Sequence, residues 1–206
     1  MVAGLSDNRG MQPTRIVCSV SQALIGVWLA FAATLAQAEI SEALSYRYYA
    51  GANEPGVPLF ESLVRATPVR IAGRPFLGHT AWHITWDLRW RRGNDGRCTL
   101  ERIRTHLKAT ITLPQKAPDD SRAAAAFPRF VNALREHEMG HVDIARETAR
   151  AIDDRIWQLP TMPNCGALEM AANNLGQRLL HEARQQGLDF DRRTGHGRST
   201  GVVLTE

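Results

Sequence analysis

Cysteine is scarce in this chain of 206 residues: Cys18, Cys98 and Cys165 are the full set. So few exclude a disulfide-dense scaffold, and none has a paired Cys or His at zinc-finger spacing. An excess of one charge is lacking too. The formal net charge is +4; Asp7, Arg9 and Arg15 give residues 1–38 a net +1, so the remainder holds +3. That surplus is spread out except at Arg89, Arg91, Arg92 and Arg97. The group lacks the interleaved aromatic platform of a single-strand binder and reads as a solvated hairpin end, so a nucleic-acid partner is not expected. There are no internal repeats and no low-complexity segments. What is present is 44% hydrophobic and 22% charged residues, the balance of a globular protein with its own core, at a length that suits one domain.

The N-terminus carries an apolar run, Ile16 to Leu35, preceded by Arg15 and followed by Ala36-Gln37-Ala38. A positive flank, an apolar stretch and small residues at −3 and −1 are the parts of a secretory signal peptide, with cleavage expected between Ala38 and Glu39. Met11 lies closer to the positive flank than Met1 does and is an alternative start. Twenty mostly apolar residues are also long enough for an uncleaved anchor, but the small-residue site favours cleavage and no stable membrane insertion afterwards. Either way residues 39–206 form a single exported domain, periplasmic or secreted. Export leaves Cys98 and Cys165 as an even pair in an oxidising compartment, and a disulfide between them is expected to stabilise the fold by about 3–4 kcal/mol.

Two periodicities follow. Trp82, Ile84, Trp86, Leu88 and Trp90 alternate with polar residues, the pattern of a half-buried strand. Gly93-Asn94-Asp95-Gly96 supplies turn chemistry, and Ile103, Thr105, Leu107, Ala109, Ile111 and Leu113 form the face of a second strand that Pro114 stops. A shorter strand covers Leu44–Ala50, and residues 51–58 and 73–78 are loops. The second region is helical. Asp119, Asp120 and Ser121 can cap a helix running to Trp157, with Pro128 as a fresh first turn or a kink. Pro160 and Pro163 end it, and another helix spans about Gly166 to Gln186, with Gly187 near its C-terminal cap and a polar, Gly-rich tail beyond. Strands first and helices after predict an α+β domain, an N-terminal antiparallel sheet followed by two long helices.

Within the first long helix lies His137-Glu138-Met139-Gly140-His141. Residues at i and i+4 share a helix face, so both imidazoles can aim at one ion. Glu138, beside the first ligand, can reach a water on that ion and act as general base. This is the H-E-x-x-H pattern of zinc peptidases, and it makes the expected fold zincin-like, with one Zn²⁺ as cofactor. From seven His and eleven Glu, chance would give this pattern roughly one time in a hundred. The residues leave the third ligand open. Glu147 points away from the His137–His141 face on an unbroken helix, while Glu169, His181 and Glu182 are available on the second helix. His79, His83 and His106 belong to the β region, where a lone histidine is usually structural or exposed.

The tail contains Phe190-Asp191-Arg192-Arg193-Thr194-Gly195-His196-Gly197. Together with the exported β-rich half, H-E-M-G-H on a long helix and a cysteine after it, this ending resembles the predicted secreted zinc-dependent proteases known as domain of unknown function 922. The resemblance covers most of Tyr46–Gly197 and also fits Cys98 and Cys165 as a pair. It implies an active-site element in the ending, which makes His196 the leading third metal ligand. Phe190 stands where a tyrosine is common in that family, so a hydroxyl is missing there. Hydrogen-bond partners that orient the ligand histidines are expected as well, with Asp189 and Asp191 as candidates.

The expected function is metal-assisted hydrolysis of a peptide bond in a protein or peptide substrate, with His137, His141 and His196 on zinc and Glu138 activating water. The alternatives are a zinc-binding but inactive interaction module, against which the intact Glu138 argues, and an amidase acting on cell-wall peptides.

Overall fold

The computed structural model describes residues 39–50, 56–116 and 121–203. The signal segment, the start of the loop at residue 51 and the capping role of Asp119 and Asp120 fall outside them. Five strands and three helices follow in order: β1 (Glu39–Ala50), α1 (Leu59–Ala66), β2 (Arg70–Ile71), β3 (Arg74–Pro75), β4 (His79–Arg92), β5 (Cys98–Lys116), α2 (Ser121–Trp157) and α3 (Cys165–Thr194). A short 3-10 turn, Arg198–Thr200, comes last. Among the described residues no helix is long and apolar enough to cross a membrane.

The alternating pattern of β4 and β5 makes an antiparallel pair from His79↔Thr112 to Arg92↔Cys98. The turn between them closes where the Gly/Asn/Asp chemistry put it: Gly93 N–H donates to Arg97 O at 2.8 Å and Gly96 N–H to Gly93 O at 3.0 Å. β5 extends beyond the expected stop at Pro114. The proline lies opposite Tyr49, and the pairing shifts register just after it, between Tyr49 and Ala50.

β1 corrects the expected topology. It pairs with β5 in parallel, from Glu39↔Arg104 to Ala50↔Lys116, so the three-stranded sheet β1-β5-β4 is mixed rather than antiparallel. The β4 hairpin occupies one edge of β5 and leaves the other to β1. The chain leaves β1 opposite Lys116, passes through α1 and enters β4 opposite Thr112, at the same end of β5, so β4 itself makes the return that the parallel pair of β1 and β5 requires. α1 itself lies in the stretch read as β. It buries Leu59, Ser62 and Leu63 on one face, and Ser62 is the inward position that hid its apolar period.

α2 and α3 cover the face of the sheet that carries Ile84, Ile103, Leu107, Ala109, Ile111 and Leu113, all buried. α2 continues through Pro128 as a single helix. Its Ala145, Ala149, Ile152 and Ile156 pack with Leu168, Ala172, Leu179 and Leu180 of α3 in one cluster, while Phe127, Phe130, Leu134 and Val142 join Leu59 and Leu63 in another. The motif segment thus sits between Leu134 and Val142 of the second cluster, about one turn before the first begins at Ala145.

α3 starts where Asn164 accepts from Ala167 N–H at 2.8 Å. It does not end at Gly187. It runs through to Thr194, and Gly195 in the left-handed region caps it with its N–H. At the opposite end of the two helices a disulfide joins Cys98 to Cys165 (Cα–Cα 5.0 Å), and Cys98 also exchanges backbone hydrogen bonds with Met162 at 2.9 and 2.8 Å.

Candidate metal centre

His137 and His141 lie one helical turn apart on α2 and face α3. Their Nε2–H groups both donate to Asp191 Oδ1, at 3.1 and 3.0 Å. The donor atoms of His137, His141 and Asp191 all lie within 4.8 Å of one another, a group that could hold a metal ion. Two imidazoles and a carboxylate fit such an ion by type as well as by spacing. Burial works against charge on Asp191, yet the hydrogen bonds from both histidines and the nearby charges of His141 and His196 hold its carboxyl well below the usual carboxylate range. His141 is also opposed by burial, but Asp191 and then Glu138 outweigh this and raise its pKa.

Phe190 fixes the pair. Its ring stacks on His137 (centroids 4.9 Å apart, planes at 13°) and meets His141 edge-on at 5.1 Å. That fit depends on Gly140, because a Cβ there would lie 2.5 Å from Phe190 Cζ. Gly187 also faces the site, its Cβ position 3.6 Å from His141 Nδ1. A Cβ there would make an ordinary contact, and α3 passes through this glycine because the turns on either side keep the helix going.

Glu138 points to the sheet, 4% exposed. Thr80 Oγ1 lies 2.8 Å from its Oε2. Burial raises the Glu138 pKa; the Thr80 hydroxyl and the charges of His141 and His137 offset this only in part. His79 joins the same neighbourhood, its pKa lowered by burial and by the charge of His141 against the pull of Asp191.

The remaining candidates separate. His196 stands beside the cluster, its Nδ1 3.7 Å from Asp191 Oδ1, with a side chain 62% exposed. It lies in the left-handed region (φ 54°), between Gly195 and Gly197, which are there too, and its ring edge meets Phe76 at 5.7 Å. Asp189 pairs with Arg192 on the surface instead of orienting a histidine. Glu147, Glu169, His181, Glu182 and His83 are exposed. His106 is tied across the outer sheet face, with Ser41 Oγ 2.6 Å from its Nδ1 and its Nε2 3.0 Å from Asp87. Sequence reasoning missed Thr80 and the packing roles of Gly140 and Phe190, and it set His79 aside as a lone strand histidine. Thr80 sits on the inward parity of the Trp82–Trp90 stripe, two residues before it, and that parity was the available signal.

No curated protein and no solved structure matches the chain. One family does match, over residues 46–197, a span that takes in β4, β5, α2, all of α3 and the bend at Gly195–Gly197. The chain therefore belongs to the family described as bacterial protein of unknown function (DUF922).

Proposed function

We propose that this protein is an exported, zincin-like zinc hydrolase that cleaves peptide bonds. The observation that carries the reading is the convergence of His137, His141 and Asp191 within 4.8 Å, with Glu138 buried next to the pair. In this reading His137, His141 and Asp191 hold the ion, and Asp191 takes the place expected for His196, which stands outside that set with its side chain largely in solvent. Bound zinc would supply Lewis acidity toward a carbonyl oxygen and lower the pKa of a water. The chain's own residues do the rest. Glu138, desolvated and therefore ready to hold a proton, takes the proton of the attacking water and delivers it to the leaving amine. Phe190 and Gly140 keep both imidazoles in one orientation, so the ligand geometry is set before substrate arrives. Export is supported by the signal-like segment before Glu39 and by the disulfide between Cys98 and Cys165, a bond of oxidising compartments.

The test is zinc content and hydrolysis of casein and of cell-wall fragments by the purified mature protein, with and without chelator. One zinc per chain and chelator-sensitive casein cleavage are expected, with Glu138→Gln keeping zinc and losing activity. Asp191→Ala should lose zinc at micromolar free concentration, whereas His196→Ala keeps it. Zinc retained in Asp191→Ala and lost in His196→Ala would reverse the ligand assignment. Cleavage of cell-wall fragments alone would move the substrate from proteins to cell-wall peptides.

A further inference from the structure

The carboxylate of Glu138 lies against Thr80 at the start of β4 and Gly78 just before it. Thr80 Oγ1 lies 2.8 Å from Oε2, and a Cβ at Gly78 would fall 2.8 Å from Oε1. Thr80 and Glu138 are both buried. The Thr80 hydroxyl has a single proton and two acceptors in reach, Oε2 at 2.8 Å and the Glu138 carbonyl oxygen at 3.0 Å. A carboxylate is the stronger acceptor, and the carbonyl of a mid-helix residue already has the N–H four residues on as its partner. The proton therefore goes to Oε2.

From this geometry we infer that Thr80 is a positioning residue for the general base: its hydroxyl fixes the Glu138 carboxylate rotamer, and Gly78 leaves the room that this rotamer needs. The inference rests on the reading of Glu138 as the base. A carboxylate on a mobile side chain samples several orientations, of which few serve proton transfer. Locking one of them removes that search, and a displacement of about 1 Å can cost on the order of a hundredfold in rate. Threonine suits the task on a strand because its branched Cβ restricts χ1 and so aims the hydroxyl. Valine preserves the shape without the donor. Serine preserves the donor with a looser aim.

Two measurements test this. The first is independent of turnover: thermal unfolding of the metal-free protein with Thr80→Val, with Glu138→Met and with both. Thr80→Val is expected to lower the melting temperature by about 3 °C when Glu138 is present, a shift typical of losing one buried bond in a chain of this size, and to have little effect in the Glu138→Met background. Equal shifts in both backgrounds would overturn the bond. The second is steady-state cleavage of casein by the zinc-loaded variants. Thr80→Val should lose at least about tenfold in kcat with KM and zinc content unchanged, and Thr80→Ser should recover most of it. Full activity in Thr80→Val, beside a dead Glu138→Gln, overturns this inference and leaves the hydrolase standing. A Glu138→Gln variant as active as the wild type, or a wild type without chelator-sensitive cleavage, overturns the base and the positioning role together.

Discussion

Gly140 determines how closely α3 approaches the histidine pair. Phe190 occupies the space where a residue-140 side chain would begin, and its ring is the surface on which His137 lies flat. Gly140→Ala should therefore push Phe190 aside and misalign both imidazoles. The gain in helix propensity, roughly 1 kcal/mol, favours the folded helix and cannot restore the ring contact. We expect zinc affinity to fall at least about tenfold with the far-ultraviolet circular dichroism unchanged, as read by competition with a chromophoric chelator. An unchanged affinity would show that the stack is incidental. At this scale the sequence was informative about the i, i+4 pair, because helix geometry alone brings His137 and His141 together. It offered Asp191 only as one of two candidates to orient the ligand histidines; the bonds from both imidazoles single it out, through a contact across fifty residues that nothing local to residue 191 encodes. The resemblance favoured His196 in the tail segment; in the structure Asp191 of that segment lies within 4.8 Å of the pair, and the His196 side chain is 62% exposed.

Among the elements, α2 and β5 share a buried polar link: Thr105 Oγ1 donates to Asp153 Oδ1 at 2.8 Å, and Asp153 is 3% exposed. Burial raises the Asp153 pKa, the Thr105 hydroxyl works against that, and Asp154 adds to it. A carboxyl whose folded pKa is raised costs stability above that pKa, and the cost disappears as pH falls through it toward the unfolded value. Asp153→Asn keeps an acceptor for Thr105 and carries no charge. It should raise the urea midpoint at pH 7 and above, with the advantage shrinking as the pH is lowered through the acidic range. A pH-independent difference would refute the charge argument. The elements themselves were legible where a period ran uninterrupted: β4, β5 and the body of α2 follow their patterns. α3 was cut short because a mid-helix glycine resembles a cap in sequence. The same ambiguity occurs at Gly176, where a Cβ would lie 2.4 Å from Trp86 and the missing side chain lets the indole in. α1, eight residues long, was too short for its period to stand out.

At the scale of the whole molecule, the disulfide closes a loop of 67 residues that contains most of β5 and all of α2. Chain-entropy arguments put its contribution on the order of 4 kcal/mol. Replacing Cys98 and Cys165 by serine should lower the guanidinium midpoint accordingly, and titration of the denatured wild type should find neither of these two thiols free. The pairing was legible from the signal-like segment before Glu39 and the even count of cysteines after it. The mixed sheet was not, because the direction of β1 depends on the end of the sheet at which the chain passes from β1 to β4, a non-local outcome.

That parallel pairing has a kinetic consequence. β4 and β5 adjoin in sequence, so their hairpin closes a short loop, whereas Ser41 must find His106 across 65 residues. Loop closure on that scale is slow. The first strand of the domain is thus expected to be the last to join the sheet, with its backbone amides protected later than those of β4 and β5 in pulse-labelled hydrogen exchange during refolding. A chain built this way leaves its first strand unpaired until β5 is complete, which would suit the export proposed above.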